Sequence, residues 1–346
     1  MHKHGGDVYT YENMVDFSAN INPLGIPQSI VLAATKGATL SAQYPDVECR
    51  ELKKSLAIAE DIKSENIACG NGAADLIFSL VLATKPKKAI MLAPTFYEYE
   101  QALRAIDCEI IYHELTETNN FELKNDYLNI LDESVDIIFI CNPNNPTGLL
   151  VDKDFLAKVL EKCEKNNILF VLDECFNDFL DYPTEYSMKD FIPKSKNLFI
   201  LKAFTKLYAM AGLRLGYGFS SNQELMAKIK EVTQPWNVST PAQHCGIAAL
   251  KETEYVAKAR KIVKEERDYL QKSLESLGLT LYNSMANYIF FKGPENLGDK
   301  TKEHGFMIRD CSNYHGLTNG FYRIAVRDHN ENTGLIAVLE KILKEC

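Results

Sequence analysis

Leu198-Phe-Ile-Leu201-Lys202-Ala-Phe-Thr-Lys206-Leu-Tyr-Ala-Met-Ala-Gly212-Leu-Arg214-Leu-Gly216-Tyr217 is the stretch that decides how this chain folds. Its first four residues are an unbroken apolar run, the pattern of a strand covered on both faces in a parallel sheet. Lys206 stands just past the end of that strand, and Arg214 follows eight positions later across small residues. A lysine amine is a nucleophile toward aldehydes. An arginine is a two-pronged clamp for an oxyanion.

Working outward, the same apolar runs recur at residues 88–93, 135–141 and 168–172, with a helical stretch over 152–165 between two of them. Residues 48–60 and 75–83 also read as helices. Strands alternating with helices predict a doubly wound α/β domain with a mostly parallel sheet covered by helices. Sites in such sheets lie at the carboxyl ends of the strands, and Asn142, Asp173 and Lys206 each fall there. Residues 243–278 read as mostly helical. Strand-like segments at 286–291 and 321–326, with a closing helix over 331–344, predict a smaller α+β domain. The expected division is an N-terminal arm and part of the small domain over 1–40, a large domain over 41–250, and the small C-terminal domain over 251–346.

The 346 residues are enough for two cores, and 46% hydrophobic with 25% charged residues is ordinary globular composition. A net charge of −9, spread along the chain, argues against nucleic acid or an anionic membrane as the main partner. Nine cysteines with no Cys-x-x-Cys pair read as reduced thiols of a cytoplasmic protein. No apolar run approaches membrane-spanning length, and no signal-peptide pattern opens the chain. His2 and His4 are too few for a metal site, and no metal is expected.

Four further segments carry chemistry. Asn142-Pro-Asn-Asn145-Pro-Thr-Gly148 is a dense turn, and Asn145 can donate an amide hydrogen bond to a ligand oxygen. Cys69-Gly-Asn-Gly72-Ala73-Ala74-Asp75 is a small-residue turn ahead of a helix, a place where backbone N–H groups can meet a phosphate. Phe96, after the strand 88–93, can stack on a flat ring or simply pack in the core. Arg309, Arg323 and Arg327 fall within nineteen residues of one another and can read two anionic groups or lie solvated. Asp173 taken alone reads as a strand-end turn cap rather than as a site residue.

Taken in order, Gly72-Ala73, Phe96, Asn145-Pro-Thr-Gly148, Asp173-Glu174, Lys206 with Arg214, and Arg323 resemble the fold-type-I pyridoxal 5′-phosphate enzymes, the class I/II aminotransferase superfamily, over essentially the whole chain. The resemblance implies Lys206 as the lysine that binds the cofactor aldehyde, Asp173 as the pyridine-nitrogen partner and Asn145 at the phenolic oxygen. It implies Phe96 on the ring and Arg323 on the substrate carboxylate. Cofactor-phosphate contacts would come from Gly72, Ala73, Ala74, Thr205 and Arg214, and from Tyr44 of a second subunit in a homodimer with a shared site. Two departures stand out: Ala203 where many relatives carry a hydroxyl, and Phe176 where many aminotransferases carry a tyrosine.

Within that superfamily the chain is most similar to the threonine-phosphate decarboxylases, through His4-Gly5-Gly6, 16–25 and Arg309-Asp-Cys-Ser-Asn-Tyr314. The implied substrate is a phosphorylated amino acid, L-threonine O-3-phosphate. Its decarboxylation supplies the aminopropanol linker of cobalamin in that family. His4, Asn22, Gly25 and Arg309 become candidates for holding the substrate, its phosphate above all. The readings left open are histidinol-phosphate transamination, phosphoserine as substrate, and a non-catalytic cofactor-binding module.

Overall fold

The computed structural model describes residues 4–345, so His2 and Cys346 lie outside the described residues. In chain order the strands are β1 (Val15–Asp16), β2 (Ile67–Gly70), β3 (Lys88–Ala93), β4 (Glu109–Glu114), β5 (Ile137–Cys141) and β6 (Leu169–Asp173). They continue with β7 (Leu198–Ala203), β8 (Gly216–Phe219), β9 (Thr280–Leu281), β10 (Tyr288–Lys292), β11 (Phe306–Met307), β12 (Arg309–Asp310) and β13 (Phe321–Ala325).

Seven strands form one sheet in the order β2-β8-β7-β6-β5-β3-β4. Strands β3 to β7 run parallel, and β8 runs antiparallel to both of its neighbours. The unbroken apolar runs have a direct physical cause. Ile90, Ile138, Ile140, Phe170, Leu172 and Ile200 enter the apolar cluster on one face. Their alternate neighbours Met91, Phe139, Val171, Phe199 and Leu201 enter the cluster on the other. With both faces buried, period-two alternation has no polar side to show.

Three strands of this sheet were not expected. Edge strand β4 exposes part of its length and reads Glu-Ile-Ile-Tyr-His-Glu, without a buried-strand pattern. Strand β2 is four residues long. Strand β8 reads Gly-Tyr-Gly-Phe, a turn-like composition. Gly216 is required there because a Cβ would meet the Ala73 backbone nitrogen at 2.4 Å. Strand β8 therefore lies directly against the start of the helix Ala73–Thr84.

A second, antiparallel sheet has the order β12-β13-β10-β9. Its core includes Ile289, Phe291, Tyr322, Ile324, Leu335 and Leu339. The N-terminal segment is stitched onto it: β1 pairs with β11, and the Ala325 N–H donates to the Phe17 carbonyl at 2.8 Å. The helix Gln28–Thr39 packs instead against the helix Thr240–Ala249 and sends Ile30 into the core under the large sheet. Residues 4–39 thus touch both the antiparallel sheet and the core under the large sheet.

Candidate active site

The carboxyl ends of β3, β5, β6 and β7 open into a cavity of about 300 Å³. His4, Ala73, Ala74, Phe96, Asn145, Asp173, Thr205, Lys206, Arg214, Arg309 and Arg323 all line it.

Each asparagine of the 142–148 turn has a different job. Asn142 holds the loop to Val151 through both side-chain atoms, at 2.9 and 3.1 Å. Asn144 donates to the Pro94 carbonyl at 3.0 Å and the Thr147 hydroxyl at 3.1 Å, and accepts from Thr95 at 2.9 Å. These two asparagines are the turn's own scaffold. Asn145 differs: its Oδ1 accepts from Arg323 at 2.5 Å and from Tyr314 at 3.4 Å. That fixes the amide's orientation and leaves the Nδ2 donor for the cavity.

Arg323, on β13, also donates to the Ser18 carbonyl at 2.7 Å. Its Nε is buried without a hydrogen-bond partner. A guanidinium so placed has donor capacity to spend on an anion.

Asp173 ends β6 and is buried. One oxygen accepts the Cys175 N–H at 2.9 Å, and the other accepts the Tyr99 hydroxyl at 2.6 Å. Burial pushes its carboxyl above the ordinary range, opposed by hydrogen bonds from Cys175 and Tyr99. A cation facing it in the cavity would offset that burial.

Lys206 sits in the single turn Phe204–Leu207 that follows β7. Burial lowers its amine to about 8, and Arg323 and Arg214 add repulsion, opposed by Cys175 and Glu98. No hydrogen bond to the amine is found among the described residues; the Phe176 ring lies 5.9 Å away. A lysine with so low a proton affinity has a substantial neutral fraction near neutral pH, which nucleophilic attack on an aldehyde requires.

The helix Ala73–Thr84 begins at the cavity, so its unpaired first-turn N–H groups point there. Gly72, at φ +81°, precedes it, and a Cβ at Gly72 would meet the Arg214 guanidinium at 2.4 Å. Backbone donors, Thr205 and Arg214 together make an anion cradle. Phe96 lines the cavity and meets Tyr99 edge-on at 5.5 Å.

This donor set fits pyridoxal phosphate: a cradle for its phosphate, a buried carboxylate for its ring nitrogen, an amide donor for its phenolic oxygen, and a neutral-leaning amine for its aldehyde. Phe176 is buried edge-on against Tyr288 at 5.0 Å and brings no hydroxyl. Ala203 ends β7 and likewise brings none.

Other expected residues fall elsewhere. Asn22 is buried beneath the site: its Nδ2 donates to the Leu207 carbonyl at 2.6 Å and its Oδ1 accepts from Leu24 at 3.0 Å. That uses its side chain to brace the Lys206 turn, away from any ligand. Gly25, at φ +68°, has open space around it and does not line the cavity; its carbonyl accepts from Tyr255. Arg327 pairs with Glu331 at 2.7 and 3.0 Å, outside the cavity. Tyr44 is 79% exposed and stacks on Trp236 at 4.4 Å, outside this chain's own cavity.

The structure adds residues that sequence reasoning passed over: Glu98, Tyr99, Tyr314 and the backbone of Ser18. Tyr99 had one available signal, its place in the aromatic run that follows β3, three residues after Phe96. Contacts such as Arg323 to Ser18 join residues too distant in the chain for a local signal. Among the described residues there is no His/Cys/Asp/Glu group able to hold a metal, and no helix long and apolar enough to cross a membrane.

Residues 12–339 match the family described as aminotransferase class I and II. The chain is 34% identical to threonine-phosphate decarboxylase of Salmonella typhimurium, covering 98% of this chain and 96% of that protein. It is 32% identical to histidinol-phosphate aminotransferase of Moorella thermoacetica, covering 96% and 86%. The crystal structure of histidinol-phosphate aminotransferase from Clostridium acetobutylicum superposes with a TM-score of 0.89 at 31% identity, covering 95% and 99%. With cavity, fold and full-length likeness in agreement, this chain belongs to the class I and II aminotransferase family.

Proposed function

We propose that this protein decarboxylates L-threonine O-3-phosphate to (R)-1-amino-2-propanol O-phosphate, with pyridoxal 5′-phosphate as cofactor. One observation carries the reading: three arginines line this cavity, each in different company. Arg214 stands with the Ala73–Thr84 helix start, Arg323 with Asn145, and Arg309 near His4. Arg214 would hold the cofactor phosphate. A substrate bearing both a carboxylate and a phosphate would use the other two. Full-length similarity to the Salmonella decarboxylase supports the same substrate. The fold is shared with a histidinol-phosphate aminotransferase and does not choose between the reactions.

When bound, the cofactor supplies an electron sink for the substrate bond held perpendicular to its ring. The protein decides which bond that is. Arg323 grips an anionic group of the substrate and is itself fixed by Asn145 and the Ser18 carbonyl, so it sets the substrate's rotation to within a fraction of an ångström. Asp173 would hold its negative charge toward the ring nitrogen. Lys206 Nζ is the group placed to return a proton to the α-carbon once carbon dioxide has left.

We place the site in a homodimer. Tyr44 and Trp236 form an exposed aromatic pair, a composition typical of interface anchors, and Tyr44 would reach the cofactor phosphate of the partner subunit.

The deciding experiment incubates the cofactor-loaded protein with L-threonine O-3-phosphate, and separately with histidinol phosphate plus 2-oxoglutarate. Carbon dioxide release without glutamate is the expected result. Glutamate formation in the second mixture, with no carbon dioxide in the first, would sink the proposal.

A further inference from the structure

Glu98 is the one acidic side chain that lines the cavity besides Asp173, and nothing above uses it. Its Oε2 is buried with no hydrogen-bond partner. Its Oε1 lies 3.7 Å from His4 Nδ1. Burial raises the carboxyl to about 7; Lys206 and Arg309 pull it down and Asp173 pushes it up. Charged and titratable groups face this space from every surrounding element. His4 comes from the N-terminal segment, Tyr97 from Glu98's own helix, Arg309, Tyr314 and Arg323 from the antiparallel sheet and its loops, and Arg214, Lys206, Cys141, Cys175 and Asp173 from the large sheet's edge.

A bare carboxylate here is an odd companion for an anion. A phosphate monoester is mostly dianionic above its second ionisation near pH 6, and two acceptor groups in one dry pocket repel. A carboxyl that takes up a proton reverses this, because its O–H then donates to a phosphate oxygen. The Glu98 side chain is partly open to the cavity, and its Oε2 has no partner within the protein to hold the carboxyl in its ionised form.

We propose that Glu98 binds the substrate's phosphate as a protonated acid: entry of a phosphate ester between His4 and Arg309 draws one proton from solvent onto the Glu98 carboxyl, whose O–H then hydrogen-bonds the ester. The inference rests on the reading that this end of the cavity takes a phosphate ester. No electrons move, and the proton returns to solvent when the ester leaves.

The test is titration calorimetry of the cofactor-loaded enzyme with isopropyl phosphate, which has neither amine nor carboxylate. It is run at pH 8 in two buffers of different ionisation enthalpy, on the natural protein and on Glu98→Gln and Glu98→Ala, each checked for native near-ultraviolet circular dichroism. At that pH a carboxyl titrating near 7 is roughly 90% ionised, so the natural protein should take up about one more proton per bound ester than either variant. Its affinity should also fall relative to Glu98→Gln by up to about tenfold per pH unit above 7. Equal proton uptake and parallel pH profiles in all three proteins would overturn the assignment of Glu98 alone. Absence of ester binding to the natural protein would instead overturn the phosphate reading beneath it. Because His4 lies 3.7 Å from Glu98 and the two titrate together, the comparison is repeated in a His4→Ala background; a Glu98-dependent uptake that vanishes there would overturn the assignment.

Discussion

Replacing Tyr99 by phenylalanine removes one hydroxyl from the floor of the site and little else. The ring is fully buried and stacked on Phe139 at 4.9 Å and 15°, and phenylalanine keeps that stack. What goes is the 2.6 Å hydrogen bond to Asp173. A hydrogen bond to an ionised group contributes about 1.5–3 kcal/mol, and one to a neutral group about 0.5–1.5 kcal/mol. The Asp173 carboxyl is already raised by burial, with the Tyr99 and Cys175 bonds opposing that rise. Losing one of them raises it further. The sign follows: a carboxyl with a raised folded value weighs against the fold once it ionises, so that penalty is absent at low pH and grows as pH climbs through its titration. Tyr99→Phe should therefore lose about 0.5–1.5 kcal/mol at acid pH and about 1.5–3 kcal/mol at pH 8. The assay is urea unfolding of the cofactor-free protein from pH 4 to pH 8, read where fluorescence and circular dichroism transitions coincide. A loss that is the same at every pH would refute the claim that the hydroxyl serves an ionised Asp173.

Three further outcomes are expected. Arg323→Lys keeps the charge but loses the fork that binds Asn145 and Ser18 together; kcat/KM for the phospho-amino acid should fall at least tenfold, and an unchanged value would contradict its role. Gly72→Ala places a Cβ 2.4 Å from the Arg214 guanidinium at a φ of +81°; equilibrium dialysis should show cofactor affinity reduced at least tenfold. Lys202→Ala strips the buried ammonium that pairs with Asp178 at 2.9 Å and Glu60 at 3.2 Å, and should cost about 3–5 kcal/mol at pH 7 in urea unfolding. Burial alone would raise Glu60, but Lys202, Tyr217 and Lys189 hold it near about 2. Its contribution is thus present above the ordinary carboxylate range and fades as pH falls toward 2, so the variant's deficit should shrink in acid.

Much of this architecture could be read from local pattern, because the pattern has a local cause. Two buried sheet faces produce runs such as 137–141, and the strand ends then locate Asn142, Asp173 and Lys206 without any knowledge of their partners. The turn 142–148 was legible as a unit, but not the division of labour inside it. Asn142 and Asn144 brace the loop while Asn145 answers to Arg323, 178 residues away. Long separation also hid Tyr99 from Asp173, 74 residues apart. Strand β8 was hidden by its glycines, whose purpose is close approach to another backbone. Asn22 misled for a related reason: a polar residue near the site was read as ligand-binding, whereas its amide is spent on the Leu207 carbonyl.

The account turns on which lysine meets the cofactor, and two stand close together in this stretch. Lys202 is committed to Asp178 and Glu60 on the far side of β7, while Lys206 opens onto the cavity. Reducing the pyridoxal phosphate-loaded protein with borohydride and mapping the labelled peptide by mass spectrometry tests this directly. Label on Lys206 alone is the predicted result; label on Lys202, or spread over surface lysines, would contradict it.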